Sequence, residues 1–426
     1  MKILHISALP IWSMDGKGGM PSLRETLSGH IREDCTIKVI LPRYDLFSDD
    51  LAPLSIERTG AYKVYTAPCK WLPVIKSFRN RVSRVFGRNT IPYPIRCMIN
   101  ISMLLLLTLS LVKAGNKVCY RGKFSPDLVY SHNQYAALAG FILGKEWRIP
   151  NITRLYGTFL ADLMKKPFVS LRYPTAAAGY LVPSNLLICA NDGTRGDEVA
   201  EKFKIPNHRF RFWQNGIDPP SEKPSTIRQD LVNRFGPKLR LESIWAISCS
   251  RLSNWKRIDR MLYAISYCKR KNVDCQLVVA GDGPEKKNLK KLAIKLGIED
   301  LVLWIGAVDH DDIWGLMNVA NIFMITNDVT NRCNPLFEAA WANLPVISIK
   351  DSSTSDLLIH NCNALLSGKD NSEELGQNLA ILCENRILRE KMKVQQKKMA
   401  ESFWTWEKRM KKEVAELERL IRPVDR

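Results

Sequence analysis

Short apolar stretches alternate with amphipathic ones along most of the chain and predict strands that alternate with helices. In the first half, strands are predicted at residues 3–6, 37–41, 127–131, 151–155, 186–190 and 210–213. In the second half, they are predicted at residues 244–249, 276–280, 302–305, 322–325 and 346–349, with helices over 258–269, 285–296, 313–319 and 336–341. This alternation is typical of parallel sheets covered by helices. The pattern predicts two successive α/β units.

A polar stretch with two adjacent prolines separates the two halves. Pro219 and Pro220 are followed by polar residues as far as Gln229, which is typical of an interdomain linker. We therefore predict one doubly wound domain over residues 1–218 and a second over 219–395, facing each other across a cleft. Residues 384–422 are predicted to be helical and charged, with Phe403, Trp404 and Trp406 as packing anchors. Residues 396–426 are expected to pack back on the first domain.

The stretch TNDVTNRCNPLFEAAWANLPVISI, residues 326–349, predicts a polar loop, a short helix and a buried strand. A helix that begins at Asn334 or Pro335 directs free N–H groups and its positive dipole end to the carboxyl edge of the sheet. Together with Leu336, this start is a predicted binding site for an anion such as a diphosphate. Glu338, one turn into the helix, can accept hydrogen bonds from ribose hydroxyls. An ordinary solvated carboxylate is an equal alternative for Glu338.

Four loops of the second half follow strands and are expected to converge at one sheet edge. These loops cover residues 250–256, 281–284, 306–308 and 327–335. Arg251 and Lys256 in the first of them place two cations beside the predicted anion site, where they can stabilise a departing diphosphate. Each alone could be an ordinary surface cation.

Two features of the first half suggest ligand contacts less specifically. Gly18 and Gly19 lie in a glycine-rich loop after the first strand, but the loop does not match G-x-G-x-x-G. His132 follows a buried strand, where a hydrogen-bonded structural histidine is the alternative.

With these motifs, the second half resembles the family-four retaining glycosyltransferases (glycosyl transferases group 1), which have the GT-B fold of two Rossmann-like doubly wound domains facing across a cleft. The resemblance is carried by SRLSNWKRIDRMLYAI, VVAGDGPE, IGAVDHDDIWGLM and NPLFEAAWANLPVIS. It implies that Arg251 and Lys256 contact the diphosphate, Gly281 and Gly283 form the glycine turn, Gly306 and Val308 lie beside the base, and Glu338 binds ribose. The first half is similar more loosely, through Gly18, Gly19, His132 and Asn215-Gly216-Ile217-Asp218.

The resemblance implies a hexosyl transfer, with retention, from a nucleotide diphosphate sugar to an acceptor hydroxyl. No metal and no cofactor besides this donor co-substrate are expected, and His132, Arg251, Lys256 and Glu338 are the implied catalytic residues. Asp162 and Arg154 are candidate acceptor-side groups, with a structural role favoured for each. Thr330 stands where the family has its first glutamate, so either Asp328 substitutes for it or Thr330 and Asn331 hold the sugar hydroxyls. Tyr156-Gly157 replaces the family's His-Gly pair.

Much of the net charge of +20 comes from one basic tract in the first half of the chain. Between Arg58 and Ser125 lie thirteen lysines or arginines and no acidic residue, interleaved with Trp71, Phe78 and Phe86. Such a tract attracts nucleic acid or anionic lipid, and the absence of a recognisable nucleic-acid module favours a membrane surface. The apolar stretch over residues 98–112 is shorter than the roughly 20 residues of a spanning helix. It predicts a core helix or one half-sunk in the interface.

The remaining composition favours an ordinary globular protein of the cytoplasm. The eleven cysteines are scattered without a C-x-x-C pair, and the start MKILHISALP lacks the pattern of a secretory signal. We expect a peripheral protein on the inner face of the membrane whose acceptor is a lipid-linked or cell-surface polysaccharide or lipopolysaccharide. The alternatives are a nucleotide-sugar epimerase and a non-catalytic nucleotide-sugar or polyanion-binding protein.

Overall fold

The computed structural model describes residues 1–9, 21–43, 62–86, 91–219, 228–235, 240–308 and 310–422. The chain divides into two compact units, Met1–Gly216 with Trp406–Arg426 (unit 1) and Ile217–Thr405 (unit 2). The boundaries therefore differ from those predicted at 218 and 395. Ile217 belongs to unit 2 because its N–H donates to the Trp404 carbonyl at 2.9 Å and its side chain packs in a cluster with Phe337 and Phe403.

Unit 1 contains a parallel sheet of seven strands among its described residues. The strands are β1 Lys2–Ser7, β2 Thr36–Pro42, β3 Lys63–Ala67, β4 Leu128–His132, β5 Asn151–Leu155, β6 Leu186–Ala190 and β7 Phe210–Trp213. Their order is β3-β2-β1-β4-β5-β6-β7, so the strand order reverses between β1 and β4. Ligands of such sheets bind at the carboxyl edge near this reversal. The short strand β3 was not predicted, because Lys63 and Thr66 interrupt the apolar pattern of its five residues.

The helices of unit 1 that precede the linker cover both faces of this sheet. They are α1 Pro21–Arg32, α2 Leu72–Phe86, α3 Tyr93–Tyr120, α4 Gln134–Trp147, α5 Val169–Arg172, α6 Pro174–Leu181 and α7 Gly196–Lys202. The helix α3 has 28 residues and is longer than the predicted apolar stretch. By length and composition it could cross a membrane, a test that core helices of soluble proteins also pass. Its buried face packs on the sheet through Leu107, Leu111 and Val118.

Unit 2 contains a second parallel sheet, with six strands among its described residues. The strands are β8 Ile244–Cys249, β9 Cys275–Ala280, β10 Val302–Gly306, β11 Ile322–Ile325, β12 Val346–Ile349 and β13 Ala364–Ser367. Their order is β10-β9-β8-β11-β12-β13, with the reversal between β8 and β11. The apolar stretches predicted as strands in this half all form strands. The two doubly wound sheets confirm the predicted fold class.

The helices of unit 2 alternate with its strands, and one more helix follows them. They are α8 Arg228–Phe235, α9 Ile258–Arg270, α10 Lys286–Lys295, α11 His310–Val319, α12 Asn334–Trp341, α13 Ser372–Glu384, α14 Arg386–Glu401 and, in unit 1, α15 Trp406–Ile421. The helix predicted over 384–422 is thus interrupted at residues 402–405. Phe403 packs edge-on against Phe337 with ring centroids 4.9 Å apart, which holds the end of α14 in unit 2. The helix α15 instead packs on α1.

Candidate functional site

The loops at the carboxyl ends of β8, β9 and β10 are joined by backbone hydrogen bonds. The Leu252 N–H donates to the Asp282 carbonyl at 2.9 Å, and the Glu285 N–H donates to Leu252 at 3.0 Å. The Gly281 N–H donates to the Gly306 carbonyl at 2.7 Å. Three of the four loops predicted to converge therefore form one continuous surface at the edge of the unit 2 sheet.

Glycine is required where two of these loops touch. Gly281 has φ 144° and Gly283 has φ 158°, and a Cβ at either position would collide with the carbonyl oxygen of Ser250 or Leu252. Only glycine lets the backbone after β9 lie this close to the backbone after β8. The predicted glycine turn therefore shapes the edge by close approach of main chain.

The fourth loop is attached to the first. The Asp328 N–H donates to the Trp255 carbonyl at 2.8 Å, and the Thr326 hydroxyl donates to the Arg257 carbonyl at 3.0 Å. These bonds fix the start of the loop that leads from β11 into α12. All four loops predicted from the sequence consequently share one edge of unit 2.

The two predicted diphosphate ligands occupy this edge. Arg251 is exposed, whereas Lys256 is largely buried and its Nζ lies 4.1 Å from the centroid of the Trp255 ring. This cation–π contact orients the ammonium without neutralising its charge. In the described part of the chain, neither cation forms an ion pair with a carboxylate. Both charges therefore remain available to an anion.

The start of α12 offers less than the sequence predicted. Among the described residues, no side-chain hydrogen bond caps this end of the helix, and its positive dipole end is directed at the edge. Pro335 has no N–H, and the N–H of Leu336 donates to the Cys333 carbonyl at 2.9 Å. Of the three predicted residues, only Asn334 keeps an N–H for a ligand, and the helix dipole supplies the rest of the attraction.

Glu338 lies inside unit 2, with only 6% of its surface exposed. The solvated carboxylate considered as an alternative is therefore not what the structure contains. Burial raises the pKa of Glu338 to about 7. Burial therefore favours the protonated form of this carboxyl group, and a ligand that donates hydrogen bonds to it would favour the ionised form.

Asp328 already has partners. Its carboxylate lies 2.9 Å from Arg260, 3.3 Å from Arg257 and 3.6 Å from Lys369. Burial alone would raise its pKa, but the arginines hold the pKa below its usual value. A carboxylate surrounded by three cations positions the loop between β11 and α12. It is therefore poorly suited to substitute for the glutamate that Thr330 replaces.

Thr330 and Asn331 are also part of the loop's internal packing. The Asn331 side chain is fully buried, accepts the Asn327 N–H at 2.8 Å and donates to Asp351, while its own N–H donates to Ser353 at 2.9 Å. The Thr330 hydroxyl accepts the N–H of Arg332 at 3.1 Å. Asn331 therefore stabilises the loop. Gly306, with φ 79°, is the last residue of β10, and half-buried Val308 follows it. Their place beside the base stays a prediction.

In unit 1, His132 is the last residue of β4 and is completely buried. Its Nε2 lies 2.9 Å from His5 Nδ1, and its Nδ1 lies 2.7 Å from the Tyr156 hydroxyl. Burial and the charge of Arg154 hold the pKa of His132 well below its usual value. The structure thus places His132 as a neutral, fully hydrogen-bonded side chain. Gly18 and Gly19 lie outside the described residues.

A buried ionic cluster in unit 1 was missed by the sequence interpretation. The Glu413 carboxylate of α15 lies 3.2 Å from Arg154 and 2.7 Å from Arg409, and it accepts the Tyr130 hydroxyl at 2.6 Å. Burial alone would raise its pKa, but the two arginines hold the pKa of Glu413 well below its usual range. The available signal was Arg154, a charged residue inside the buried strand β5. Asp162, the other candidate acceptor-side group, is exposed and pairs with Arg195.

Comparisons with known proteins agree with this geometry. Residues 232–399 match the family model of glycosyl transferases group 1. The chain is 23% identical over 234 residues to the alpha-monoglucosyldiacylglycerol synthase of Streptococcus pneumoniae (53% of this chain, 52% of that protein). It is 25% identical over 211 residues to the GDP-mannose-dependent alpha-(1-6)-phosphatidylinositol monomannoside mannosyltransferase of Mycobacterium tuberculosis (47% of this chain, 54% of that protein). The matches thus span about half the length of these relatives.

The fold is similar to a solved structure over nearly the whole chain. The structure of Alr3699/HepE from Anabaena in complex with UDP has a TM-score of 0.67 at 18% identity and covers 98% of this chain and 100% of its own. At this identity the likeness concerns the fold alone. Residues 232–399 are thus similar to the glycosyl transferases group 1 family, and the chain has the GT-B fold.

Proposed function

We propose that the protein is a retaining glycosyltransferase that moves a sugar from a nucleotide diphosphate sugar to a hydroxyl of a lipid-linked or cell-surface polysaccharide or lipopolysaccharide acceptor. The observation that carries the proposal is the edge of unit 2. Glycines there bring the loops after β8 and β9 together, main-chain hydrogen bonds join the loop after β10, and Arg251 and Lys256 lie in the first of these loops. The similar fold of HepE from Anabaena, solved in complex with UDP, supports a nucleotide as ligand.

The charges of this edge suit a departing diphosphate. Arg251 and Lys256 can each donate charge-assisted hydrogen bonds to phosphate oxygens, worth about 1.5–3 kcal/mol apiece. The dipole of α12 adds to this field, so the leaving group can be stabilised without a metal ion. Buried Glu338 would accept hydrogen bonds from the ribose hydroxyls. Retention and metal independence follow from the family resemblance and are part of the proposal.

The donor site can be tested by thermal shift with UDP-, GDP- and ADP-sugars. A ligand that binds only the folded state stabilises it by about 2.7 kcal/mol at a hundredfold excess over its dissociation constant. We expect one nucleotide series to stabilise the native chain but not Arg251→Ala or Glu338→Ala. Arg270→Ala, at the exposed carboxyl end of α9, is the matched control and should retain the shift. Loss of the shift in the control as well would contradict the assigned site.

The membrane part of the proposal rests on the exposed surface of α2 and α3, here called the α2–α3 face. Exposed apolar side chains recur at helical spacing on both helices, at Val74, Phe78 and Val85 on α2 and at Met98, Ile101, Leu105 and Leu109 on α3. Exposed Trp71 immediately precedes α2. The described residues 62–86 and 91–125 contain eleven lysines or arginines and no acidic residue. Basic residues near an anionic bilayer contribute about 1 kcal/mol each. We therefore propose that this face lies on the inner, cytoplasmic surface of the membrane.

Sedimentation with vesicles tests this surface. We expect the protein to bind phosphatidylglycerol vesicles at low salt, to bind phosphatidylcholine vesicles weakly, and to lose most of its binding in ~1 M salt, where charges are screened within about 3 Å. A protein that stays in the supernatant with anionic vesicles at low salt would remove the membrane from the proposal. The donor test does not depend on this outcome.

A non-catalytic nucleotide-sugar binder is the second candidate, and Thr330 favours it. The family's first carboxylate is missing there, and the structure gives Asp328 other partners. Turnover separates the two candidates. Tight nucleotide binding without sugar transfer or donor hydrolysis, over a panel of lipid and glycan acceptors, would support the binder. An epimerase would need carboxyl groups on both sides of the sugar, and Thr330 disfavours it.

A further inference from the structure

A cavity of about 380 Å³ lies between the end of β3 and the middle of α3 in unit 1. Its inner wall contains Cys69, Leu72 and Leu107, which are buried members of the unit 1 core. Its outer wall contains Trp71 and Leu109, whose surfaces are 66% and 64% exposed. The cavity therefore opens from an apolar interior onto the α2–α3 face. Its volume lies within the range of cavities that bind small molecules, about 300–1,000 Å³.

Polar groups of this cavity lie at its outer end. Lys70 and Lys113 are both exposed, and in the described part of the chain neither forms an ion pair with a carboxylate. The Ser110 hydroxyl donates to the Pro68 carbonyl at 3.2 Å. Leu106, Ser110 and Lys113 follow each other at helical spacing, so one face of α3 passes from apolar to cationic along the cavity. An apolar interior with cations at the opening matches an anionic amphiphile.

We propose that this cavity binds an anionic phospholipid, with an acyl chain against Leu72, Leu106 and Leu107 and the phosphate between Lys70 and Lys113. Charge complementarity selects the occupant, because this part of the chain is basic throughout. This proposal adds one specifically bound lipid to the membrane docking described under the proposed function, and it rests on that docking. A free phosphate would use the lysines but leave the apolar interior unfilled.

The position of the cavity connects it to the ligand edge of unit 1. The cavity begins at Pro68, immediately after β3 ends at Ala67, so it lies at the carboxyl edge of the sheet. The order β3-β2-β1-β4 places β3 three strands from β4, about 14 Å at the usual strand spacing. A lipid bound here would hold its headgroup beside the edge where doubly wound sheets bind ligands.

Photolabelling of the full chain tests the cavity directly. The probe is phosphatidylglycerol with a diazirine in one acyl chain, in trace amounts in phosphatidylglycerol vesicles, and the labelled peptides are mapped by mass spectrometry. We expect label in the peptides that contain Trp71 and Leu106, and a fall in its yield of about tenfold in the pair Lys70→Glu and Lys113→Glu. The pair Lys117→Glu and Lys123→Glu makes the same charge change outside the cavity and should keep most of the label there.

A second variant distinguishes lipid binding in the cavity from lipid binding at the surrounding surface. Ser110→Phe fills the opening without changing charge, and we expect it to abolish the cavity label while vesicle binding persists. Unchanged label in Ser110→Phe, or equal losses in the two charge pairs, would overturn the proposal while leaving membrane docking intact. Soluble dihexanoyl phosphatidylglycerol should compete for the label, and glycerol 3-phosphate should not. Equal competition by glycerol 3-phosphate would reduce the site to a phosphate site and overturn the lipid assignment.

Discussion

The carboxyl edges of the two sheets are built from similar strand orders but present opposite chemistry. At the edge of unit 2, main-chain bonds hold the loops while the charges of Arg251 and Lys256 remain uncompensated by carboxylates of the described residues. Near the edge of unit 1, Arg154 is fully buried and compensated by Glu413. The cations at the unit 2 edge can therefore bind an anion, whereas Arg154 near the unit 1 edge is already paired within the protein.

The difference shows that a charged residue near a ligand edge need not face a ligand. His132 and Arg154 occupy β4 and β5 beside the strand reversal of unit 1, where binding residues are expected, yet both are buried and hydrogen-bonded to neighbours. Removing one partner of a buried ion pair leaves the other charge unpaired at high cost. The unit 1 cluster should therefore affect stability first, and the unit 2 edge should affect binding first.

The largest expected effect comes from breaking the unit 1 cluster. Glu413→Gln leaves Arg154 and Arg409 buried without a counter-charge and should lower the free energy of unfolding by about 3–5 kcal/mol. Urea denaturation measures the change. Glu418→Gln, on the same helix and paired with exposed Arg422, should leave the urea midpoint unchanged. Equal midpoints for the two variants would contradict the contrast between the edges.

Glu338 should make the stability of unit 2 fall with rising pH. Its folded pKa of about 7 lies above the unfolded value near 4.5, so its contribution is complete below pH 4.5 and is lost as pH rises through 7. The full change is on the order of 3 kcal/mol. Urea denaturation of the native chain and of Glu338→Gln across this pH range measures the change in the free energy of unfolding. The variant should lack the part of this change that comes from Glu338. Nucleotide affinity should instead rise through pH 7 in the native chain only.

Substituting a glycine where the unit 2 loops lie close together should lower stability less than Glu413→Gln does, and it should also weaken nucleotide binding. Gly281→Ala forces a Cβ against the Ser250 carbonyl at φ 144° and should cost about 1–3 kcal/mol. Nucleotide affinity, measured by calorimetry, should fall at least about tenfold if the Ser250 backbone moves by a fraction of an ångström. Gly297→Ala is the matched control, because φ is 65° there and no atom lies within 4 Å of the added Cβ. It should keep full affinity.

The smallest effect is expected at Asp328. If it serves the loop, Asp328→Asn should lower stability by about 1 kcal/mol through its contacts with Arg257 and Arg260, and nucleotide-sugar affinity should stay within about twofold. Asp370→Asn, whose carboxylate is exposed beside Arg260, controls for the loss of one surface charge. A large loss of sugar-dependent affinity in Asp328→Asn alone would instead make Asp328 the substitute for the missing glutamate.

Local sequence determined the edge of unit 2 and the elements that lead to it, whereas β13 and α13 were not predicted. Strand, turn and helix lie within short segments there, so apolar periodicity, the two glycines of one turn and two cations in one loop were visible in the sequence. Burial was not visible. Glu338 has the same position on a helix whether solvated or enclosed, and only the packing of unit 2 decides that its pKa approaches 7.

Tertiary structure alone decided the chemistry of unit 1. Glu413 lies far along the chain from Arg154 and Tyr130, and no periodicity or motif couples residues at such separation. The sequence determined the basic, apolar composition of α2 and α3, but only their packing leaves one apolar stripe of each helix exposed and a cavity beside Lys70 and Lys113. Composition and local spacing determine which secondary structure a segment can form. Which charged side chains become buried depends on tertiary contacts between segments that are distant in the sequence.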